Sequence, residues 1–557
     1  MDKRTVVAFI LSFIVLVGWS LVFGPKKEQP PVKEGVPAAE APQPTPEIQR
    51  ASPPQPREAQ PPPAPAEKKA QALPAYTEKE IHIETPLYKA VFSNAGPTVR
   101  SFKLKKYRQT TNPDSPLIDL VTLKKDTGDF LRISFDNHSV AGHEAVVFQC
   151  DRDSLDLSPE SSPGDLVFTG VTRDGLSIVQ TFKFYPDRYR IDLSVEVTNG
   201  SGFPVEGVFK GSIKVRPPQD KGGYYAYVGF ALLLNNKLEE VEVEDPSDEK
   251  TVRGPLGWVA YEDNYFMSAI VPDVPSEGIF TGRHLSSGIL EGTYVQPAVT
   301  LNPSELRSSR YELYLGPRDL GILKKFGRNL DQAINFGWTD IIAKPLLYVL
   351  NFFDHYIHNY GVSIILLTIL VKILFWPLTH KSYKSMKEMQ KLQPRMAKLR
   401  EKYKNDKQKL NQEMMALYKT YKVNPMGGCL PMIIQIPVFF ALFRVLGGCI
   451  ELRHAPFVLW INDLSAPDRL FHFPFQIPFM TPPYGIPVLT LLMGASMFIH
   501  QKMTPTPGDP AQAKIMMFLP IIFTFMFINF PSGLVLYWLV NNILSIGQQY
   551  RIHKKPA

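Results

Sequence analysis

Two kinds of hydrophobic pattern divide this chain of 557 residues. From residue 76 to residue 317, short stretches alternate apolar with polar residues and are separated by regularly spaced Gly, Pro, Asn and Asp. A period of two with such breaks predicts antiparallel β-strands. They can pack as one large sandwich or as two smaller sheets, and we favour the single sandwich.

Beyond residue 318 the pattern becomes helical. Residues 318–358 predict connecting helices, the last of them amphipathic and suited to the outer surface of a membrane. Six apolar segments then suggest transmembrane helices, at 5–23, 361–378, 429–450, 486–501, 514–529 and 533–549. The chain is therefore predicted to be a multi-domain membrane protein. Five of its six spans lie in an α-helical core at 359–550, interrupted by an outer loop at 451–485.

The first apolar segment, within residues 1–23, follows Lys3 and Arg4 and lacks the small residues of a signal-peptide cleavage site. It is therefore predicted to be a retained signal anchor. Residues 24–75, rich in Pro, Ala, Glu and Gln, predict a semi-extended linker between this anchor and the β domain.

Positive charge predicts how the core is oriented. Residues 381–422 contain thirteen Lys and Arg against four acidic residues, which places this segment and both termini, including the tail 551–557, in the cytoplasm. Apolar residues three and four apart predict that 379–428 forms a helical hairpin, kinked at Pro394. Met386, Met389 and Lys391 are its candidate contact residues. A methionine-rich seam can bind varied partners, but a self-packed hairpin with a solvated basic face explains the pattern equally well.

Composition narrows the function. The net charge of +8 fits basic loops beside anionic lipid and requires no sequence-specific nucleic-acid site. Cys429 and Cys449 are too far apart on one predicted helix to pair, so no disulfide is expected. No phosphate-binding loop, nucleophile elbow or zinc-protease motif occurs in the sequence, and neither catalysis, a cofactor nor a metal is predicted.

The most unusual residue is Lys372, a charge within an apolar predicted span. It lies seven residues before Thr379, or roughly 10 Å from the predicted cytoplasmic end. Either it snorkels to that surface, or it lines a wet cavity open to the cytoplasm, and the second reading is favoured because its side chain leans the other way. Polar residues on the same or other predicted spans could share this cavity: Thr368, Gln435, Arg444, Asn541, Asn542 and Ser545. Arg444 could instead lie near the outer interface with Glu451.

Five motifs in order resemble the YidC family of bacterial membrane protein insertases: VKILFWPLTHKSYKSMKEMQKLQP, NPMGGCLPMIIQIPVFFALF, APFVLWINDLS, MGASMFIHQKMTP and FPSGLVLYWLVNN. The anchor, linker and β domain, with GWVAYEDNYF, resemble the Gram-negative form. That resemblance implies a periplasmic β-supersandwich and a groove that is open to cytoplasm and lipid but closed toward the periplasm. The groove's basic residue aligns with Lys372, where the family pattern has Arg. The family's other sensitive positions fall on Thr368 and on Trp538, beside Tyr537, where the pattern has Tyr.

The resemblance further implies an inner-membrane insertase and chaperone that acts on nascent membrane proteins, alone or with the Sec translocon, and whose basic loops lie near ribosomes and targeting machinery. Two other functions stay open at this point. A solute transporter would need repeated membrane segments, which the sequence lacks. A membrane-anchored periplasmic sugar-binding enzyme would need paired carboxylates, for which Glu262 and Asp263 are the candidates.

Overall fold

A computed structural model describes residues 78–123, 129–137, 148–218, 227–285, 287–421, 423, 430–504 and 510–554. The predicted signal anchor and the Pro-rich linker lie outside these residues. Within them, a β-rich part precedes a helical part along the chain.

Nineteen strands of the described β-rich part form one hydrogen-bonded sheet system. Its pairings are antiparallel apart from β1 with β7, which is parallel. The strands are β1 Glu80–Glu84, β2 Tyr88–Ser93, β3 Thr98–Arg108, β4 Leu117–Asp119, β5 Leu131–Asn137, β6 Gln149–Cys150, β7 Ser154–Asp156, β8 Gly164–Val171, β9 Leu176–Phe184, β10 Arg190–Asn199, β11 Val205–Val215, β12 Gly229–Leu234, β13 Lys237–Val241, β14 Glu249–Glu262, β15 Phe266–Pro272, β16 Ser276–Leu285, β17 Ile289–Val295, β18 Val299–Leu301 and β19 Leu306–Pro317. Two further strands, β20 Leu470–Phe473 and β21 Tyr484–Ile486, pair with each other in the helical part.

The alternating sequence pattern explains how the β-rich part is packed. Along β9, every second residue from Leu176 to Phe184 is buried, because successive side chains of a strand point to opposite faces. Aromatic rings fill much of the core: Phe92 contacts Phe182 and Phe184 at ring-centroid distances of 5.2 and 5.6 Å. The predicted period of two is thus confirmed as strand structure.

The helical part contains nine described α-helices. They are α1 Leu320–Phe326, α2 Asp340–Ile357, α3 Tyr360–Leu374, α4 Trp376–Lys402, α5 Lys407–Thr420, α6 Leu430–Gly448, α7 Val488–Met503, α8 Pro510–Met526 and α9 Ser532–Lys554. Short 3-10 turns occur at Leu330–Ala333, Gly337–Thr339, Ile450–Leu452 and Phe527–Asn529.

The predicted apolar segment 361–378 differs most from the structure. Its helix breaks at Phe375, and α3 and α4 meet there at 66°. Pro377 lies in the first turn of α4, where a missing N–H is tolerated, but it could not have continued α3 without losing a hydrogen bond. Helix α4 continues through Pro394, and the kink expected there stays a prediction.

By length and composition alone, none of the described helices is both long and apolar enough to cross a bilayer by itself. The bent pair α3 and α4 satisfies those criteria jointly, and two shorter apolar stretches occur at Gln435–Gly448 and Met516–Asn529.

Helices α4 and α5 form the predicted hairpin. Met389, Leu392 and Met396 are buried and pack against the apolar side of α5. Asp406 caps α5 by accepting a hydrogen bond from the Lys409 backbone N–H. The other two candidate contact residues lie outside this seam: Met386 is partly exposed, and Lys391 is exposed and pairs with Glu388 at 2.9 Å.

Two arginines join the β-rich and helical parts. Arg453 donates to the backbone oxygen of Arg108 at 2.8 Å and lies over the ring of Phe266. Arg318 donates to the backbone oxygens of Asp263 and Ala333, both at 2.7 Å. Because these bonds cross between the β-strands and the helical elements, they hold the two parts in contact.

Candidate functional site

Lys372 lies in a cluster of polar side chains between three helices. Its residue is 8% exposed, and its Nζ donates to Asn541 Oδ1 at 3.1 Å and to Ser545 Oγ at 2.6 Å. Gln435 Nε2 donates to the same Asn541 oxygen at 3.2 Å. A lysine ammonium has three N–H donors, so two of them are used by the described residues. These partners are all neutral.

Helical spacing explains why these residues meet. Asn541 and Ser545 are four apart on α9, so both face α3. The Ser545 hydroxyl donates back to the Asn541 carbonyl at 2.7 Å, which leaves its lone pair directed to Lys372. Gln435 reaches the cluster from α6. The structure therefore brings together four of the polar residues predicted for this cavity, Lys372, Gln435, Asn541 and Ser545.

Thr368 lies one turn before Lys372 and is buried. Its hydroxyl donates to the Ile364 carbonyl of the same helix at 2.6 Å. This bond is made within α3, and the described hydrogen bonds of the ammonium go to Asn541 and Ser545 instead of Thr368. It lines the same face of the helix without contributing a hydrogen bond to the cluster.

Tyr537 and Trp538 lie on α9 one turn before Asn541. The buried Tyr537 hydroxyl is near the Gln435 side chain, but without good hydrogen-bond geometry. The Trp538 ring is surrounded by aromatic side chains, with centroid distances of 4.4 Å to Phe527 and 4.7 Å to Phe439. Trp538 thus belongs to an apolar cluster beside the polar one.

Several buried polar residues near the site were missed in the sequence. Gln548 donates to Thr379 Oγ1 at 2.9 Å, and Gln549 donates to the Met503 carbonyl at 2.9 Å. His500 on α7 interacts electrostatically with Lys372. Asn541, Ser545 and Gln548 follow one another at spacings of four and three residues, and this helical spacing would have identified the polar stripe on α9. A histidine on a separate helix carries no such signal.

Arg444 lies away from Lys372, on a cavity between the helical and β-rich parts that Glu451 also lines. The sequence left two placements open for Arg444, the Lys372 cavity and the outer interface near Glu451, and the structure agrees with the one near Glu451. Burial, followed by the charge of Asp319, raises the pKa of Glu451 to about 7. Asn351 donates to this carboxyl at 3.1 Å. Across the described ranges, no group of three or more His, Cys, Asp or Glu is arranged to hold a metal ion.

Two family models cover most of the chain. The one described as 60Kd inner membrane protein matches residues 352–557, and the one described as YidC periplasmic domain matches residues 80–349. Proteins named membrane protein insertase YidC from Syntrophobacter fumaroxidans and Syntrophus aciditrophicus are 42% and 44% identical over 564 aligned residues, covering the full length of each pair. A crystal structure of an active YidC insertase has 18% identity and a TM-score of 0.36, and the alignment covers 86% of this chain and 93% of that one.

Proposed function

The chain belongs to the YidC family of membrane protein insertases, and from that premise we propose that Lys372 is the cation that receives the polar tail of an incoming membrane protein. The protein is a bacterial inner-membrane insertase with a periplasmic domain. Because relatives of that name align over the full chain, the transporter and sugar-enzyme alternatives are set aside.

The observation that carries the proposal is a buried ammonium with neutral partners. A buried cation is normally paired with a carboxylate, because removing it from water costs several kcal/mol. Lys372 is 8% exposed, and its partners among the described residues are an amide and a hydroxyl. No carboxylate among the described residues cancels its positive charge, and one of its three N–H groups has no hydrogen-bond acceptor among them.

We propose that a polar seam leads to this charge from the cytoplasm. Beyond Lys372, the buried polar side chains of Thr379, Ser382, Gln548 and Gln549 follow one another along α4 and α9. They extend toward the basic hairpin, which positive charge places in the cytoplasm. Six spans, with both termini cytoplasmic and the β-rich domain periplasmic, fit this arrangement. Five of these proposed spans would come from the predicted apolar segments of the helical part.

Energies explain how such a site promotes insertion. Each charge placed at the centre of a bilayer costs about 2.5–3.5 kcal/mol, whereas each Leu, Ile, Phe or Val contributes only about 0.3–0.6 kcal/mol. A short charged tail is therefore the barrier for a single-span client. A polar seam that ends at a cation lowers that barrier, after which the apolar segment moves into lipid. Membrane potential and partitioning then supply the free energy.

Lysine in place of arginine limits what the site can do. An ammonium attracts a carboxylate as a point charge, whereas a guanidinium binds it through two parallel hydrogen bonds. We therefore expect charge attraction without bidentate recognition. Trp538, which replaces the family's tyrosine, contributes an apolar wall.

The hairpin is the proposed contact for other machinery. Its α4 and α5 carry most of the Lys and Arg of the segment 381–422, and Lys391 and the partly exposed Met386 are accessible on it. Such a surface suits anionic partners, including ribosomal RNA and anionic lipid, without reading a nucleotide sequence. We propose that it lies near ribosomes or the Sec translocon, and that Met389 acts by packing the hairpin.

The test is insertion by the purified protein in liposomes. A small single-span client with an acidic tail is offered to wild type, Lys372→Arg, Lys372→Ala and Lys372→Glu. Activity should persist with Arg, fall with Ala and be lost with Glu. Lys250→Glu, at an exposed position on β14, is the matched charge-reversal control. Equal insertion by all four proteins would contradict the proposal.

A further inference from the structure

A second polar compartment lies between the β-rich and helical parts. Its volume is about 1010 Å³. This is at the upper end of the range for ligand pockets, about 300–1,000 Å³. Glu240, Glu242 and Tyr265 line it from the β-rich side, and Arg444 and Glu451 line it from the helical side. Both halves of the protein therefore contribute charged groups to one space.

The lining combines charged groups with apolar side chains such as Phe336 and Leu347, so it suits a peptide, which carries both kinds of group, better than a lipid chain. Carboxyl and guanidinium groups both face the cavity, so it offers partners to backbone amides and to side chains of either sign. Arg318, also on the lining, is held by Glu262 at 3.3 Å and by two backbone carbonyls. An apolar occupant would leave these groups without water, which costs about 1–3 kcal/mol for each unsatisfied group.

The cavity lies along α6 and α9, the two helices that carry Gln435 and Asn541 of the Lys372 cluster. On α9, Leu534 lines the cavity and Asn541 binds Lys372, seven residues or roughly 10 Å further on. On α6, Phe443 lines the cavity and Gln435 belongs to the lysine cluster, eight residues or roughly 12 Å away. The two polar compartments are thus stacked end to end.

Aromatic side chains fill the space between them. The centroid distance from Phe439 to Trp538 is 4.7 Å, from Trp538 to Phe527 4.4 Å, from Phe527 to Phe530 4.6 Å and from Phe530 to Phe443 5.5 Å. These five rings, which we call the aromatic septum, form a continuous apolar layer. A layer of roughly 10 Å is about one third of the approximately 30 Å hydrocarbon thickness of a bilayer.

We propose that the cavity receives the polar segment of a client after it leaves Lys372, and that the aromatic septum is the apolar barrier crossed between them. This inference rests on the proposed function of Lys372. It identifies the ligand of the cavity as a translocated peptide segment. It also gives the contact between the β-rich and helical parts a role in insertion, because each supplies part of the cavity wall.

The test is site-specific photo-cross-linking in the full-length protein. A photo-reactive amino acid replaces Gln435, Glu242 or, as a control on an exposed strand position that does not line the cavity, Glu196. The client is a single-span protein with an acidic N-terminal tail of graded length, stalled during insertion. Position 435 should cross-link tails of every length. Position 242 should cross-link only tails long enough to pass the septum, and position 196 should cross-link none.

The outcomes separate this inference from the proposed function. If position 435 captures the client and protease added on the periplasmic side cuts the tail, yet position 242 captures nothing or captures lipid alone, the cavity is not the receiving site. If position 435 also fails, the function proposed for Lys372 fails with it. Phe443→Leu and Phe443→Ala thin the septum to different degrees. Each should let shorter tails reach position 242, and an unchanged length threshold in both folded variants would overturn the role of the septum.

Discussion

Replacing Lys372 by methionine should separate stability from function. Methionine keeps most of the apolar stem and removes the charge. After the change, Asn541 Oδ1 still accepts from Gln435, and the Ser545 hydroxyl still donates to the Asn541 carbonyl. The former partners of the ammonium are therefore not left without hydrogen bonds.

The expected change in stability is small because two effects oppose each other. A lysine at the centre of a membrane helix costs about 2.5–3.5 kcal/mol. Its two hydrogen bonds to neutral groups each contribute about 1.5–3 kcal/mol. At the middle of these two ranges, their removal together should lower the free energy of unfolding by about 1.5 kcal/mol. If Lys372 were a structural tie between α3 and α9, its loss should cost about 3–5 kcal/mol, as when one partner of a buried pair is deleted.

The expected change in insertion is large. An acidic client group about 4 Å from the ammonium gains about 4 kcal/mol at an effective dielectric constant of about 20. Loss of even a third of that energy slows the step about tenfold. Insertion of acidic-tailed clients should therefore fall at least tenfold in the methionine variant, whereas clients with uncharged tails should be affected much less.

Thermal unfolding in detergent provides the stability measurement. Cys449, at the end of α6, is 6% exposed and reports unfolding through its reaction with a thiol dye. Cys150 and Cys429 are replaced by serine in every variant so that one thiol is followed. A methionine variant that unfolds far more easily and inserts poorly would refute the reasoning, because its defect would be structural.

Three further changes test other parts of the structure. Asn541→Asp places a carboxylate beside the Lys372 ammonium, which lies 3.1 Å from the amide oxygen of Asn541. The variant should therefore have a higher unfolding temperature and insert acidic-tailed clients roughly tenfold more slowly. Asn542→Asp is the control because the Asn542 amide contacts Ser496 instead, and equal effects of the two changes would contradict the prediction. Burial, only partly opposed by Arg318, raises the pKa of Glu262 to about 7 from 4.5, so the folded protein holds this proton more tightly than the unfolded chain. This tighter proton binding contributes fully to the free energy of unfolding below pH 4.5, and about 3 kcal/mol of stability is lost as the pH rises through 7, at 1.36 kcal/mol per pH unit. Glu262→Gln should flatten this pH dependence when unfolding is followed by tryptophan fluorescence. An unchanged pH profile in the variant would count against the prediction. Leu392→Ala should lower the stability of the hairpin by about 2–5 kcal/mol. Hydrogen exchange should then be faster in α4 and α5 and unchanged in the β-rich part. Equally faster exchange throughout the protein would show that the hairpin is not an independent unit.

The sequence predicted most helices to within a few residues because their apolar runs are long. The predicted segment 533–549 lies within α9, Ser532–Lys554, and 429–450 closely matches α6, Leu430–Gly448. The helix break at Phe375 was harder to predict from the sequence, although Pro377 indicated where it could occur. A proline shows that a helix cannot continue unchanged, but whether the chain stops or turns by 66° depends on the helices packed around it.

Sequence reasoning identified the residues that hydrogen-bond to Lys372 but not their pairing, and it missed Gln548 and Gln549. Helical spacing places Asn541 and Ser545 on one face, yet nothing in the sequence fixes which helix that face meets. The position of His500 near Lys372 depends on how α7 packs, so no local pattern contains it. Arg444 illustrates the same limit, because its two possible placements differed only in the tertiary arrangement.

A comparison of Lys372 with arginines that have a carboxyl partner shows why its neutral partners matter. The partly buried Arg318 lies 3.3 Å from the Glu262 carboxyl, and the exposed Arg328 pairs with Glu312 at 2.8 Å, so each guanidinium has an acidic group beside it. Such pairing would lower the free-energy cost of burying Lys372, but it would also cancel the electric field that attracts an incoming acidic tail. An amide and a hydroxyl satisfy hydrogen bonds of the ammonium without removing its charge. In the proposed mechanism, the cluster around Lys372 therefore stabilises the buried ammonium through hydrogen bonds without cancelling the charge that the client would meet.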